Sequence, residues 1–459
     1  MVSFASNVNL IILAAVVVAA LLSAPAAAIV PQTVRLCVIQ RSKKTTAMTQ
    51  HYAFAAEHYA AGYAPLAFTV RFIGNYEAST SRTIAQSIVV NGSGCDALLG
   101  PSSSGLCAAI SPLVSTFWVD SAATATELSD TDEYPFLSRT SPHDGYSAVG
   151  MVRLFKKFGW TMINTLCVDH TYGRSVSSGV SNLHLELGGK VGLARCVSPN
   201  AKKDVVVQQL AEYETADSRV VFVGMDTGAA AFDHLVDHIL EAKLHERIVF
   251  VFSESACSGS NTRWASVPGA LCGSFALDDG VAAGFHSAYA ARNMTKTDAM
   301  FAAAGYPSDA VDRTSSDIYA AFSVDAARFA MQTFFDYYTA NPASAALADP
   351  VDATTLVEFA RSSVTGTGGL TGTVDLDASG DRPAATMEVF NAKADGSAPG
   401  IAMVSAASDI TAVAPAKTFF LSQEFDFTSP PSHLRPVAAA TEAGNTVVFI
   451  VIGVVAALL

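Results

Sequence analysis

Short runs of β-branched and aliphatic residues alternate with stretches of helical apolar spacing from about residue 34 to about residue 391. That alternation is how βα units feeding a parallel sheet read in sequence, and it places the chain in the α/β class. The pattern predicts strands over 34–40, 66–72, 97–99, 116–120, 162–168, 190–196, 220–223 and 248–252. Helical periodicity is clearest over 45–62, 145–158, 174–187, 205–215, 227–240 and 316–338, with a further helix at 353–363 and a glycine-rich β-hairpin over 366–382. Two βα series, one on each side of about residue 143, predict two doubly wound, Rossmann-like lobes. Ligands of such sheets sit at the carboxyl ends of the strands, so a cleft between the lobes is the expected site.

The ends of the chain carry a different pattern. An apolar run over 9–22 is followed by Ser23, Ala24, Pro25 and the small residues Ala26, Ala27 and Ala28. This predicts a secretory signal peptide over 1–28, with an uncleaved anchor as the alternative because residues 1–10 hold no Lys or Arg. Asn91-Gly92-Ser93 and Asn293-Met294-Thr295 are acceptor sequons, which predicts glycans on Asn91 and Asn293. The last apolar stretch, within 445–459, is shorter than the roughly 20 residues that a spanning helix needs. It reads as a truncated transmembrane helix, as a lipid-anchor signal with small residues at Ala438 to Ala440, or as a short tail anchor. Before it, 422–444 holds Ser429-Pro430-Pro431-Ser432 and Arg435-Pro436 and reads as a stalk. The expected location is the cell surface, membrane-anchored at the C-terminus, with the bulk of the chain extracellular.

Composition narrows the function. Of 459 residues, 28 are basic and 41 acidic, a formal charge of −13, so no basic field for nucleic acid is expected. At about 150 residues per domain, the length suits two to three domains. Seven cysteines show no CxxC spacing for zinc or redox chemistry, which fits secretion, and an odd number leaves at least one thiol unpaired. No G-x-S-x-G, H-E-x-x-H or P-loop motif occurs. His234 and His238 share a helical face but lie among Asp233 and Asp237, as on a solvated helix. No catalytic residue, metal or cofactor is expected.

The most informative stretch is Leu98-Leu99-Gly100-Pro101-Ser102-Ser103-Ser104-Gly105, a strand that runs into a Gly-Pro-Ser turn and then a helix. It gathers N–H groups and hydroxyls at one spot, which suits either an anion seat or a helix cap. There follow Ser121-Ala122-Ala123-Thr124, Leu128-Ser129-Asp130, Tyr134-Pro135-Phe136-Leu137-Ser138-Arg139-Thr140-Ser141-Pro142-His143-Asp144, Phe155-Lys156-Lys157-Phe158-Gly159-Trp160 and Asp169-His170-Thr171-Tyr172-Gly173. This ordered series resembles the extracellular ligand-binding region of the metabotropic glutamate, GABA-B and natriuretic peptide receptors, built on the type I periplasmic-binding-protein (Venus-flytrap) fold. The tail from Leu370 to Arg382 is similar to the hairpin that closes that region. The resemblance implies lobe one over 29–143, the main part of lobe two over 144–285, return helices of lobe one over 286–365, and the hairpin and crossing over 366–421.

For the amino-acid-binding members, the resemblance implies that Ser104 or Ser103 holds a ligand carboxylate and that Thr124, Asp144 and Glu254 hold its ammonium, while Tyr172 packs on it from lobe two. Hydroxyls and N–H groups for an anion, with two carboxylates for a cation, are what an α-amino acid zwitterion demands. Taken singly, Asp144 and Thr124 also suit helix caps, Glu254 a solvated loop acid and Tyr172 simple packing. Glutamate-binding members use a lysine where Thr354 and Thr355 stand here, so glutamate preference is not expected. Arg41, Lys43 and Lys44 beyond the first strand are an alternative cation source for a distal carboxylate. Cys95 with Cys107, and Cys257 with Cys272, resemble loop staples of the family. Cys37 reads as a buried apolar thiol, and Cys167 and Cys196 as either a pair or two thiols.

The expected function is therefore a non-catalytic receptor ectodomain that senses a small amino-acid-like ligand by lobe closure, and the resemblance further implies a homo- or heterodimer through lobe one. Two other classes share the pattern: a surface-tethered solute-binding protein of transport type, and a peptide-hormone receptor ectodomain of natriuretic type.

Overall fold

The computed structural model describes residues 32–39, 46–73, 85–86, 94–257, 263–276, 279–291, 318–345, 351–383, 386–404, 411–412, 417–421, 423–426 and 430–434. The leader at 1–28, the sequon residues Asn91 and Asn293, the basic residues Arg41, Lys43 and Lys44, and the apolar segment 445–459 lie outside the described residues. Among those described, no helix is long and apolar enough to cross a membrane. The chain divides into two compact units, one formed by residues up to His143 with Ala276–Ala385, the other by Asp144–Phe275 with Thr386–Leu459.

The first unit is built on five parallel strands, β1 (Thr33–Ile39), β2 (Ala67–Ile73), β3 (Ala97–Leu99), β4 (Phe117–Asp120) and β5 (Leu137–Arg139), in the order β2-β1-β3-β4-β5. Every residue of β3, β4 and β5 is buried, as expected of a parallel sheet covered on both faces. The two-residue period of β1 sorts its side chains. Val34, Leu36 and Val38 enter one core with helices Thr46–Tyr59, Ile318–Ala340 and Ala353–Ser363, while Cys37 and Ile39 enter the core on the other face with Trp118, Leu128 and Leu137. Strand β5 has no apolar run to announce it. It holds because Arg139 is completely buried with its charge matched, as described below.

The second unit repeats the order. Strands β6 (Met162–Val168), β7 (Lys190–Val197), β8 (Val220–Gly224), β9 (Val249–Phe252) and β10 (Leu271–Phe275) are parallel and run β7-β6-β8-β9-β10. Antiparallel strands Met387–Asn391, Gly400–Val404 and Thr411–Ala412 extend the sheet beyond β10. Helices Lys203–Thr215 and Ala230–Glu241 bury Leu210, Tyr213, Phe232, Leu235 and Ile239 against Val221, Val223 and Phe250.

One boundary differs from the sequence expectation. Lobe two was expected to run to residue 285, but helix Asp279–Ala291 belongs to the first unit. The cause is aromatic packing: Phe285 and Tyr289 lie against His51 and Phe54, and the Tyr289 hydroxyl donates to Gln50 Oε1 at 3.1 Å. Within the stretch expected as hairpin and crossing over 366–421, hairpin Thr367–Gly369 and Gly372–Val374 lies in the first unit and the strands from Met387 onward in the second.

The disulfides also require a correction. Cys95 pairs with Cys37, not with Cys107, and Cys107 is a buried free thiol. β1 and β3 are neighbours, and the turn that leads into β3 brings Cys95 to Cys37 at a Cα separation of 5.7 Å. Cys107 instead faces inward from helix Ser104–Ile110, and its thiol approaches Asp120 Oδ2 at 3.5 Å. Burial and the Asp120 charge push that thiol well above its ordinary pKa. Cys167 pairs with Cys196, its register partner across β6 and β7, and Cys257 pairs with Cys272.

Candidate ligand site

In both sheets the strand order reverses beside the first strand of the series, between β1 and β3 in the first unit and between β6 and β8 in the second. Crevices at the carboxyl ends of such strands are where ligands of doubly wound sheets bind. The sequence-predicted residues fall at these ends, in two groups.

In the first unit, β3 ends at Leu99 and Gly100 turns the chain at φ +85°, a left-handed conformation that suits glycine. Ser102 then takes φ +60°, which is costly for a residue with a Cβ. It is held there because its N–H donates to Asp120 Oδ2 at 2.7 Å and its Oγ lies 3.0 Å from Ser121 Oγ. The hydroxyl chain continues from Ser121 to Ser323 at 3.0 Å, and the Tyr52 hydroxyl lies 3.4 Å from Ser102 Oγ. Burial, reinforced by Asp120, raises the Tyr52 pKa far above the ordinary phenol value, so this group stays protonated. The other oxygen of Asp120 accepts from Ala122 N and Ala123 N at 2.8 and 2.7 Å. One buried carboxylate thus shapes both the Gly-Pro-Ser turn and the loop that carries Thr124.

Ser103 is the N-cap residue of helix Ser104–Ile110, yet its side chain makes no capping hydrogen bond. Ser104 is buried and its Oγ accepts from Ala125 N at 3.1 Å, so the structure brings Ser104 and Thr124 together. With its oxygen engaged as acceptor, the Ser104 hydroxyl has its proton to donate. Thr124 is completely buried, and its Oγ1 has no hydrogen-bond partner among the described residues. The carbonyls on either side of Thr124, those of Ala123 and Ala125, accept from Arg139 Nη1 at 2.9 and 2.7 Å. Arg139 is fixed in turn by Asp381 Oδ1 at 2.6 Å and Ser129 Oγ at 2.7 Å. The Arg-Thr-x-Pro stretch and the closing hairpin therefore form a brace behind the Thr124 loop.

In the second unit, Asp144 is the first residue of helix Asp144–Lys157 and is fully buried, where the helix dipole favours its negative charge. Tyr172 follows β6 in the first turn of helix Thr171–Glu186, and its hydroxyl donates to Ser253 Oγ at 2.8 Å. Ser253 immediately precedes Glu254, a buried acid that opens the short helix Glu254–Cys257, so Tyr172 and Glu254 share one edge of the sheet. Gly173 allows helix Thr171–Glu186 to sit on the strand ends, since a Cβ there would strike the carbonyls of Val168 and Gly224. At the reversal between β6 and β8, His170 caps the helix by accepting from Gly173 N at Nδ1 (3.2 Å), while its Nε2 lies 2.6 Å from Asp226 Oδ2. That geometry puts the imidazole proton on Nε2, donated to Asp226.

Thr355 does not replace the family lysine with another ligand-directed group. Its N–H and hydroxyl both bond to Asp352, the N-cap of helix Ala353–Ser363. Sequence reasoning missed Tyr52, Ser102, Asp120, Ser121 and Ser323 as a network, and the Arg139 brace. Ser102, Ser121 and Arg139 lay within the quoted motifs, but only the fold brings Ser323 to Ser121 and Asp381 to Arg139. Among the described residues, no group of His, Cys, Asp and Glu is arranged to hold a metal ion.

Comparison with known proteins is consistent with this arrangement. The chain is 34% identical over 110 residues to metabotropic glutamate receptor 6 of Oryctolagus cuniculus, a match covering 23% of this chain and 13% of that receptor. It is 32% identical over 124 residues to G-protein coupled receptor family C group 6 member A of Carassius auratus, covering 26% and 14% of the two chains. It is 38% identical over 81 residues to taste receptor type 1 member 1 of Homo sapiens, covering 17% and 10%. These matches span a small part of the relatives' own length. The family profile of the receptor family ligand binding region matches residues 54–395, and the chain belongs to that family.

Proposed function

We propose that this receptor ligand-binding region takes a small α-amino acid or related amine, with the carboxylate on the hydroxyls of Ser103 and Ser104 and the ammonium shared by Thr124, Asp144 and Glu254. Tyr172 packs on the ligand, and engagement of both units by one molecule is the signal, by population shift toward the engaged state. The observation that carries the reading is Thr124: a completely buried hydroxyl with no hydrogen-bond partner among the described residues, next to a Ser104 hydroxyl with a proton to give. Orphaned buried hydroxyls are costly, and a polar ligand group is the kind of partner that removes the cost. The names of the similar receptors support a cell-surface location, with the bulk of the chain outside. The family resemblance is the ground for a non-catalytic role and for a homo- or heterodimer through the first unit.

The test is a calorimetric screen of amino acids and amines against the secreted protein, followed by Ser104→Ala, Thr124→Val, Asp144→Asn and Glu254→Gln. Each hydrogen bond to a charged ligand group contributes roughly 1.5–3 kcal/mol, so each variant is expected to weaken binding about ten-fold or more. Asp144→Asn and Glu254→Gln should weaken amines more than their deaminated analogues. Glutamate should show no strong advantage over neutral amino acids or GABA, because Thr355 is engaged with Asp352. If no such compound binds below millimolar concentration, the reading fails and the peptide-receptor or transport-type class replaces it.

A further inference from the structure

We propose that Pro430–Leu434 is a pH-released strap on the second unit, docked while His433 is neutral and released when His433 and His184 take up protons in mildly acidic surroundings. Leu434 makes an antiparallel bridge with Ser218, and Arg219 N donates to His433 O at 2.8 Å. Arg219 Nε donates to Ser432 O at 2.5 Å, and the buried Trp160 donates its indole N–H to Pro431 O at 3.0 Å. His433 Nε2 lies 3.0 Å from Thr161 Oγ1. Pro430 and Pro431 restrict the segment's backbone before it docks, which lowers the entropy cost of holding it.

The strap sits at the start of β6 and β8, the ends opposite to His170, Tyr172 and Asp226, and so is distinct from the candidate ligand site. Thr161 links it to the second histidine: its hydroxyl meets His433, and its carbonyl lies 3.3 Å from Nε2 of the buried His184. The charged groups that act on His433 are Arg219 and His184. Arg219 comes from the lead into β8 and His184 from helix Thr171–Glu186, Lys156 of helix Asp144–Lys157 lines a cleft with Trp160, Thr161 and His184, and Lys190 leads β7 with its N–H on Thr161 O. The nearby acid in sequence is Asp217, which is exposed.

Burial, then the charges of Arg219 and His184, hold His433 below the ordinary imidazole pKa, and burial does the same for His184. The sign follows from linkage. Docking is at full strength above the free value of about 6.5 and weakens as the pH falls below it, because the released strap binds the proton first.

The experiment is hydrogen exchange on the full chain, corrected for intrinsic pH dependence, between about pH 7.5 and about pH 5.5, a range in which histidine is the titrating side chain. In the wild type, protection of the Arg219 amide should fall several-fold, up to about ten-fold through His433, while that of Val221 and Val223 within β8 is unchanged. In His433→Gln combined with His184→Gln, which keep polar side chains that do not titrate, protection should stay high throughout, with the β8 amides reporting that the unit is folded. A wild-type strap whose protection does not depend on pH would overturn the proposal. So would the same decline in the double variant, or a double variant with a folded β8 and a strap already released near pH 7.5. Ligand binding plays no part in the readout, so the result is independent of the amino-acid reading.

Discussion

Replacement of Thr124 by Val separates ligand chemistry from architecture. The side chain is completely buried and its Oγ1 has no hydrogen-bond partner among the described residues. A buried hydroxyl in that state costs about 1–3 kcal/mol, and a methyl group of nearly the same shape removes the cost. For a domain of this size, about 1 kcal/mol shifts the melting temperature by roughly 2–4 °C, so the ligand-free variant should melt at least that much higher than the wild type. With ligand the order reverses. Loss of one hydrogen bond to an ammonium should weaken affinity about 10- to 150-fold, which removes about half to nine-tenths of the roughly 2.7 kcal/mol of stabilisation that ligand at a hundred times Kd provides. Differential scanning calorimetry with and without ligand reads both effects in one experiment. Ser104→Ala is the contrast, since it also removes the acceptor for Ala125 N and should therefore melt lower without ligand. A Thr124→Val protein that melts lower than the wild type in the absence of ligand, or binds ligand as tightly, would refute the assignment.

Other expectations follow from the same framework. Burial alone would raise the Asp381 pKa, but Arg139's charge and hydrogen bond and the Ser129 hydroxyl outweigh it and hold the carboxyl below its ordinary value. The stability this pair contributes is present above the unfolded value near 3.9 and is lost as the pH falls through the lower folded value; Asp381→Asn should lose about 3–5 kcal/mol at neutral pH in urea unfolding and flatten that acid limb. Non-reducing peptide mapping should recover Cys37 linked to Cys95, with Cys107 alkylated only after unfolding; removal of the Cys37–Cys95 bridge, a sequence separation of 58, should cost about 4 kcal/mol by loop entropy. Gly173→Ala places a methyl against the Val168 and Gly224 carbonyls and should cost roughly 1–3 kcal/mol, with ligand affinity falling because Tyr172 is displaced; unchanged stability would contradict the close approach.

Some strands were legible in sequence because their burial is two-sided. Strands such as Val220–Gly224 and Val249–Phe252 are continuous apolar runs because both faces are covered. β5 escaped notice because its defining residue is a buried arginine, matched by an aspartate 242 residues away. β10, Leu-Cys-Gly-Ser-Phe, is interrupted by Gly273, where a Cβ would strike Met151, so close packing had removed the side chain that would have marked a strand. Helix Asp279–Ala291 was invisible for the opposite reason: its alanines and glycines carry little periodic signal, and Phe285 and Tyr289 do the packing. Local spacing likewise favoured Cys95 with Cys107, whereas the parallel pairing of β1 with β3 is a long-range fact that a twelve-residue window does not contain.

The repeated strand order has a chemical consequence when the residues at the two reversals are set side by side. The first unit ends its strands in hydroxyls, Ser102, Ser104, Ser121 and Thr124, braced by a single buried aspartate. The second ends its strands in acids, Asp226 and Glu254, with Asp144 at the head of its first helix. On the proposed reading, the first unit makes three hydrogen bonds to charged ligand groups and the second two, contributing about 4.5–9 and about 3–6 kcal/mol. Association itself costs about 4–15 kcal/mol before any affinity remains. Sub-millimolar retention of a zwitterion requires about 4 kcal/mol net, which the second set by itself falls short of and the first reaches only at the smallest association cost, while the two sets acting on one molecule reach it over a wider range. On the proposed reading, ligand affinity and engagement of both sets of residues are one thermodynamic event, so that occupancy would be read as a change of state.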